Sequence, residues 1–167
     1  GDRIPYAPPF GVALAAWDTE EEQRAWIFRG AGNNSNRIQR LERVLERTRE
    51  RGFDVDWTTP ALAQAVRAVV TLDGDEMPTP VRHILDQLLV EFTTIGFLSD
   101  DDPGRRKQPV VTIAAPVFDH RHQVALMVAV HPLCPLSSRK IRVIGKKLTD
   151  ETAAITNAQQ QAVGRAV

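Results

Sequence analysis

A chain of 167 residues with 43% hydrophobic and 25% charged side chains has the size and composition of one globular domain, which excludes wholesale disorder. Lys and Arg together number 21 and so do Asp and Glu; compact nucleic-acid-binding domains are usually basic, so this balance argues against DNA as a direct partner. The single cysteine, Cys134, excludes an intrachain disulfide and a Cys-based zinc site, and no apolar run approaches the roughly 20 residues that span a bilayer. No signal segment opens the chain, and cysteine usage fits a reducing compartment, so a cytoplasmic setting without a membrane partner is expected. Because the first residue is Gly1, the chain is expected to be a fragment or a processed product.

In chain order, a Pro-rich stretch over residues 1–9 leads into FGVALAAW at 10–17, whose alanines favour helix. Thr19 with Glu22 has capping-box spacing and predicts a second helix from near Glu20 to Gly30, followed by a loop over 30–36. Asn36 is the expected cap of a helix over 37–51, with Ile38, Leu41, Leu45 and Thr48 on one face and Val44 beside it. Gly52 stands where a left-handed C-terminal cap belongs. FDVDW at 53–57 alternates as a half-buried strand. Thr59-Pro60 and Thr79-Pro80 predict helices over 60–72 and 80–97, and an acidic-then-basic loop follows over 99–108. The segments 109–118 and 123–131 read as a hairpin joined by DHRH at 119–122. Ser137 caps a last helix over 138–162, whose expected buried face is Ile141, Ile144, Leu148, Thr152 and Ile155. This order predicts an α+β fold, an antiparallel sheet flanked by helices with a helical insert over about 58–108.

Most candidate chemistry fails on its own terms. His120 and His122 supply two metal ligands where a site needs more, and they read as a solvated turn. Asp100, Asp101 and Asp102 lack the spacing and distal Glu of a calcium loop. Cys134 has no adjacent basic residue, with His131 the nearest possible base. Helix 37–51 carries six Arg, but Arg43/Glu46, Glu46/Arg49 and Arg47/Glu50 compensate charge three residues apart, as on a solvated face. No catalytic residue, metal site or cofactor is therefore expected. The hairpin is lined by small apolar residues: Val110, Thr112 and Ala114 alternate on one strand, and Leu126, Val128 and Val130 on the other. With Asp56 as a single polar contact, such a lining suits a small-molecule cleft; it suits an ordinary core face equally well.

The order of motifs resembles the effector-binding, GAF-like domain of the IclR family of bacterial transcriptional regulators. GDRIPYAPPFGVALAAW followed by DTEEEQ is similar to that family's G-x-R-[LI]-P-L-H-A-T-A-x-G-x-A-L-L-A and P-E-E-E. LERTRERGFDVD matches its R-x-R-G-[YF]-x-x-D, and TIAAPVFDHRHQVALMVAVHP matches its C-[IVL]-A-A-P-[VI]-F-D hairpin. The similarity covers about 1–57 and 109–163, and it implies a single sensor domain over 1–167. The family's leading helix and strands, and its winged helix-turn-helix, are missing from this chain. Residues 58–108 are an insertion relative to the family. Thr112 stands in place of the family's cysteine, and Val128 and Val130 in place of ligand-facing serines.

By position the resemblance implies effector contacts at Pro9, Phe10, Asp56, Val110, Thr112, Val128 and Val130. It further implies a small-molecule effector, self-association as dimer or tetramer, and control of DNA only through the absent winged helix. Valine in place of serine favours a more apolar or aromatic effector, unless the valines simply fill the space. Two rivals come from other classes. One is a small enzyme using Asp56 or His131. The other is a protein-interaction module built on helix 80–97, whose stripe of Val81, Ile84, Leu85, Leu88, Leu89, Phe92 and Ile95 is wide enough for self-association or for burial within its own chain.

Overall fold

The computed structural model of the chain describes residues 6–8, 10–56, 107–132 and 134–164. Among them the elements run α1 (Val12–Ala15), α2 (Glu20–Ala31), α3 (Ser35–Arg51), β1 (Asp54–Asp56), β2 (Lys107–Val110), β3 (Thr112–Phe118), β4 (Val124–Val130), β5 (Cys134–Ser137) and α4 (Ser138–Gly164). The fold is α+β, an antiparallel sheet flanked by helices. The helices expected over 60–72 and 80–97, and with them most of the insert, lie outside the described residues.

The helix ends follow from their caps. The Thr19 side chain accepts from the Glu22 N–H at 3.3 Å, and Glu20, Glu21 and Glu22 put negative charge at the positive end of α2. Asn34, rather than Asn36, caps α3: its side chain accepts from the Arg37 N–H at 3.1 Å and its carbonyl from the Ile38 N–H. The helix therefore starts two residues earlier than the sequence pattern suggests. Gly52 closes α3 at φ 77°, a left-handed conformation that costs other L-residues a steric penalty. The Ser137 hydroxyl accepts from the Lys140 N–H at 3.3 Å at the start of α4.

Two apolar clusters result. Val12, Ala15, Ala16, Trp26, Ile27, Ala31, Leu41, Val44 and Leu45 bring α1, α2 and α3 together around the fully buried Trp26, whose Nε1 donates to the Phe10 carbonyl at 2.8 Å. Arg49 braces this unit by donating to the Ala16 carbonyl and the Gln23 side chain. The second cluster joins Phe53, Val55, Val110, Ile113 and Ala115 to Ile141 and Leu148 of α4. Ile155, expected on the buried face of α4, is 41% exposed. The side of α4 turned to the sheet there carries Thr152, which is buried, and Thr156, whose hydroxyl accepts from the Phe118 N–H at 3.0 Å.

The strands order β1-β3-β4 in one sheet, and β2 pairs with β5 in another. The expected strand 109–118 is thus divided at Val111. Its N–H donates to the Asp56 carbonyl at 2.9 Å, so the chain bends there and β3 joins β1 instead of continuing β2. Register in the larger sheet sets Asp54 opposite Ala114, Val55 opposite Ile113 and Asp56 opposite Thr112. It also sets Ile113 opposite Val130, Ala115 opposite Val128 and Val117 opposite Leu126. The register shifts between Val117 and Phe118 near the hairpin tip. The DHRH turn is exposed; the Asp119 carboxylate accepts from the Gln123 and Arg121 N–H groups, which lower its pKa.

Candidate functional site

Directly opposed residues in a sheet share a face and neighbours alternate, so the pairings divide the sheet into two surfaces. Val55, Ile113, Ala115, Val117, Leu126, Val128 and Val130 share one, and α4 packs on its β3 part, leaving Leu126 and Val130 exposed. Asp54, Asp56, Thr112, Ala114, Met127 and Ala129 share the other.

The seven residues implied by the family resemblance do not therefore line one pocket. Asp56 and Thr112 are brought together on the second surface. Val128 packs against the α4 cluster, and Val130, directly opposite Ile113, falls on that same side. Val110 is 2% exposed within that cluster, in a different sheet from Thr112, so the expected alternation of Val110, Thr112 and Ala114 on a single strand does not hold. Phe10 is half-buried at the start of α1, and Pro9 lies outside the described residues.

The second surface carries a polar row that the sequence pattern did not reveal. The Thr112 hydroxyl oxygen lies 3.0 Å from Nδ1 of His131, just beyond the end of β4. With Asp56 directly opposite Thr112 on β1, a carboxylate, a hydroxyl and an imidazole span the sheet at one end. Asp56 and Thr112 are half-buried and His131 is exposed. The next rows are small or apolar, Ala114 and Ala129 and then Pro116 and Met127. His131 entered the sequence reading as a base for Cys134 or for a small enzyme; continuing the Ile113–Val130 pairing by one position is the signal that finds its partner Thr112.

Asp54 is the second unforeseen residue. The FDVDW alternation places it on the same face as Asp56, but only 7% exposed. Burial pushes its carboxyl up to about 6; the Arg51 guanidinium opposes the rise, the Asp56 charge adds to it, and the Val55 N–H opposes it. Asp54 is thus a buried acid of shifted affinity beside the polar row, a pattern that marks functional clefts.

Among the described residues no group of three or more His, Cys, Asp or Glu is placed to hold a metal ion, and no helix is long and apolar enough to cross a membrane. Cys134 is exposed on β5. A shallow open groove runs along the outer face of α4 past Arg139, Arg142, Lys146 and Lys147, residues of a solvated helix surface. No model of a known protein family matches this chain, and neither a curated protein nor a solved structure does.

Proposed function

We propose that this chain is the effector-sensing domain of a bacterial transcriptional regulator of the IclR kind, and that a small ligand rests on the sheet surface bearing Asp56, Thr112 and His131. The ordered motifs of the sequence support the class, and the polar row is the observation that carries the site. Its hydroxyl and imidazole can hold one polar end of a ligand, while Ala114, Ala129 and Met127 supply a floor for an apolar body. The preference for an apolar or aromatic effector then rests on these residues instead of Val128 and Val130. The ligand acts by binding one assembly state better than another, which biases an attached winged helix on DNA in the cytoplasm.

The row suits binding better than hydrolysis. A Thr–His–carboxylate relay needs the carboxylate on the far side of the imidazole, where it orients the ring. Here Asp56 stands opposite Thr112 on β1 instead, on the side of β3 away from His131. Calorimetry and thermal shift with aromatic carboxylic acids and with small keto-acids test the reading. An aromatic acid at 100 times its Kd is expected to stabilise the chain by about 2.7 kcal/mol, and Thr112→Val with His131→Ala to abolish the shift. Stabilisation by pyruvate-like acids alone would overturn the ligand class. Turnover of any substrate that Asp56→Asn abolishes would overturn the sensor reading in favour of an enzyme.

A further inference from the structure

A net charge of +0 conceals where the charges stand. Between Asp119 and Asp150 the chain has no acidic residue, yet Arg139, Lys140, Arg142, Lys146 and Lys147 all fall near the start of α4. All five are exposed. They stand on the side of α4 away from the sheet: Ile141 and Leu148 are buried beneath the helix, while Val143, among the cations, is 57% exposed. Lys107 adds a sixth, exposed on β2 and paired with Ser137, whose hydroxyl caps α4. Among the described residues the one ion pair on this face joins Lys146 Nζ to the Asp150 carboxylate at 3.4 Å.

Folding does not account for this placement. The first turn of a helix carries partial positive charge and favours acids. α2 follows that rule with Glu20, Glu21 and Glu22, whereas the first turn of α4 has no acid and holds Arg139 and Lys140. Arg139 and Arg142, and Arg142 and Lys146, also repel at three- and four-residue spacing, where α3 sets Arg43 against Glu46 and Arg47 against Glu50. Such a row is complementary to an anionic partner outside the chain. We propose that the outer face of α4 docks on the phosphate backbone of double-stranded DNA without reading its sequence.

The composition of the face selects this partner. Lysine is depleted from protein–protein interfaces, which centre on large buried anchors, and here Val143 is the one exposed large apolar side chain among the cations. A helix lying on a membrane turns its apolar face to the lipid, but α4 buries Ile141 and Leu148 against the sheet. Single strands are held by stacking on aromatic rings, and α4 has none. Arg139, Arg142 and Lys146 rise about 10 Å along the helix axis in a straight row that suits the stiff, evenly charged backbone of a duplex. The choice of DNA among duplexes rests on the regulator reading; the cationic face does not. The polar row lies on the opposite side of the sheet, so a bound effector leaves this face open.

Fluorescence anisotropy of a labelled DNA duplex titrated with the chain tests the proposal. Between about 50 and 200 mM salt, affinity is expected to fall with a log–log slope of about −3 to −4, as for roughly three to five phosphate contacts. Arg142→Gln with Lys147→Gln is expected to weaken binding about tenfold or more at the lower salt and to flatten the slope by about 2. Its circular dichroism should be unchanged and its thermal midpoint equal or higher. Arg121→Gln, exposed on the hairpin turn, should leave affinity within about twofold. No binding at the lower salt, a double variant that binds like its parent, or an equal loss with Arg121→Gln overturns the proposal. A lower thermal midpoint in the double variant overturns it too, because the cations would then serve the fold. Tighter binding to phosphatidylserine vesicles, polyglutamate or an RNA duplex at the same salt overturns DNA as the partner. Thr112→Val with His131→Ala is expected to bind DNA as the parent does while losing the effector in calorimetry, so failure of the sensor reading is distinguishable from failure of this one.

Discussion

The two apolar clusters are built on opposite plans. The helical one draws all its buried residues from 12–45, a continuous piece of chain, around the side chain of Trp26. The sheet cluster joins Phe53 and Val55 to Val110, Ile113 and Ala115 and to Ile141 and Leu148, from three separated segments. The first is specified by helical periodicity and caps, the second by strand register. A point change in the first perturbs one local unit, whereas in the second it bears on pairings between distant parts of the chain.

The largest expected effects come from emptying each cluster in turn. Trp26→Ala should cost about 3–5 kcal/mol and Ile113→Ala about 2–5 kcal/mol. Thermal unfolding followed by far-ultraviolet circular dichroism and by tryptophan fluorescence separates the plans. Coincident single transitions for both variants mean that the clusters melt as one unit. Two transitions, with only the earlier one shifted by a given substitution, mean that they are independent.

Asp54 marks the polar side of the sheet and gives the next largest effect. Folding raises its pKa from 3.8 to about 6. Between those values the folded chain holds a proton that the unfolded chain has released, so stability falls as pH rises through this window. Asp54→Asn is expected to be more stable than the parent above pH 6, by on the order of 2–3 kcal/mol. The gain should fade below about pH 4, where the carboxyl is protonated in both states. Urea titrations at pH 4 and pH 8 measure it; equal differences at the two pH values would show that Asp54 is not the titrating group.

Gly145 in α4 probes how closely the helix lies on the sheet cluster. A Cβ there runs into the ring of Phe53. Gly145→Ala should therefore destabilise by about 1–3 kcal/mol through overpacking, despite the better helix propensity of alanine; a gain in thermal midpoint would contradict the contact. The smallest expected effect is local to the helical unit: Thr19→Ala removes the cap of α2 and should cost about 1 kcal/mol in a denaturant titration.

Much of the helical part was legible in the sequence because its signals are local. Thr19, Ser137 and Gly52 act as their spacing predicts. The start of α3 was misplaced because Asn34 and Asn36 are chemically equivalent caps, and the backbone conformation at Asn34 decides between them. The hairpin was legible as a hairpin, but not which side of it faces α4. The register shift at Val117 and Phe118 changes the pairing count by one residue, and a one-residue slip exchanges the two faces. Val128 and Val130 read as pocket residues beside Asp56 because the family resemblance puts them there, and the alternation of the strand alone does not say which face it turns to α4. The break at Val111 depends on a carbonyl of β1, which no local pattern around Val111 contains.

The antiparallel match of Asp56 with Thr112 sets a condition on how the chain reaches this structure. Those residues lie far apart in sequence, and a contact between distant positions carries a closure entropy that nearby helical contacts avoid. Native structure dominated by such pairings forms more slowly than structure built from neighbours. In a refolding experiment Trp26 is therefore expected to reach its native fluorescence before amide protection appears along β3. During that interval β4 is exposed without its neighbours, and its uncharged edge is where off-pathway association should begin.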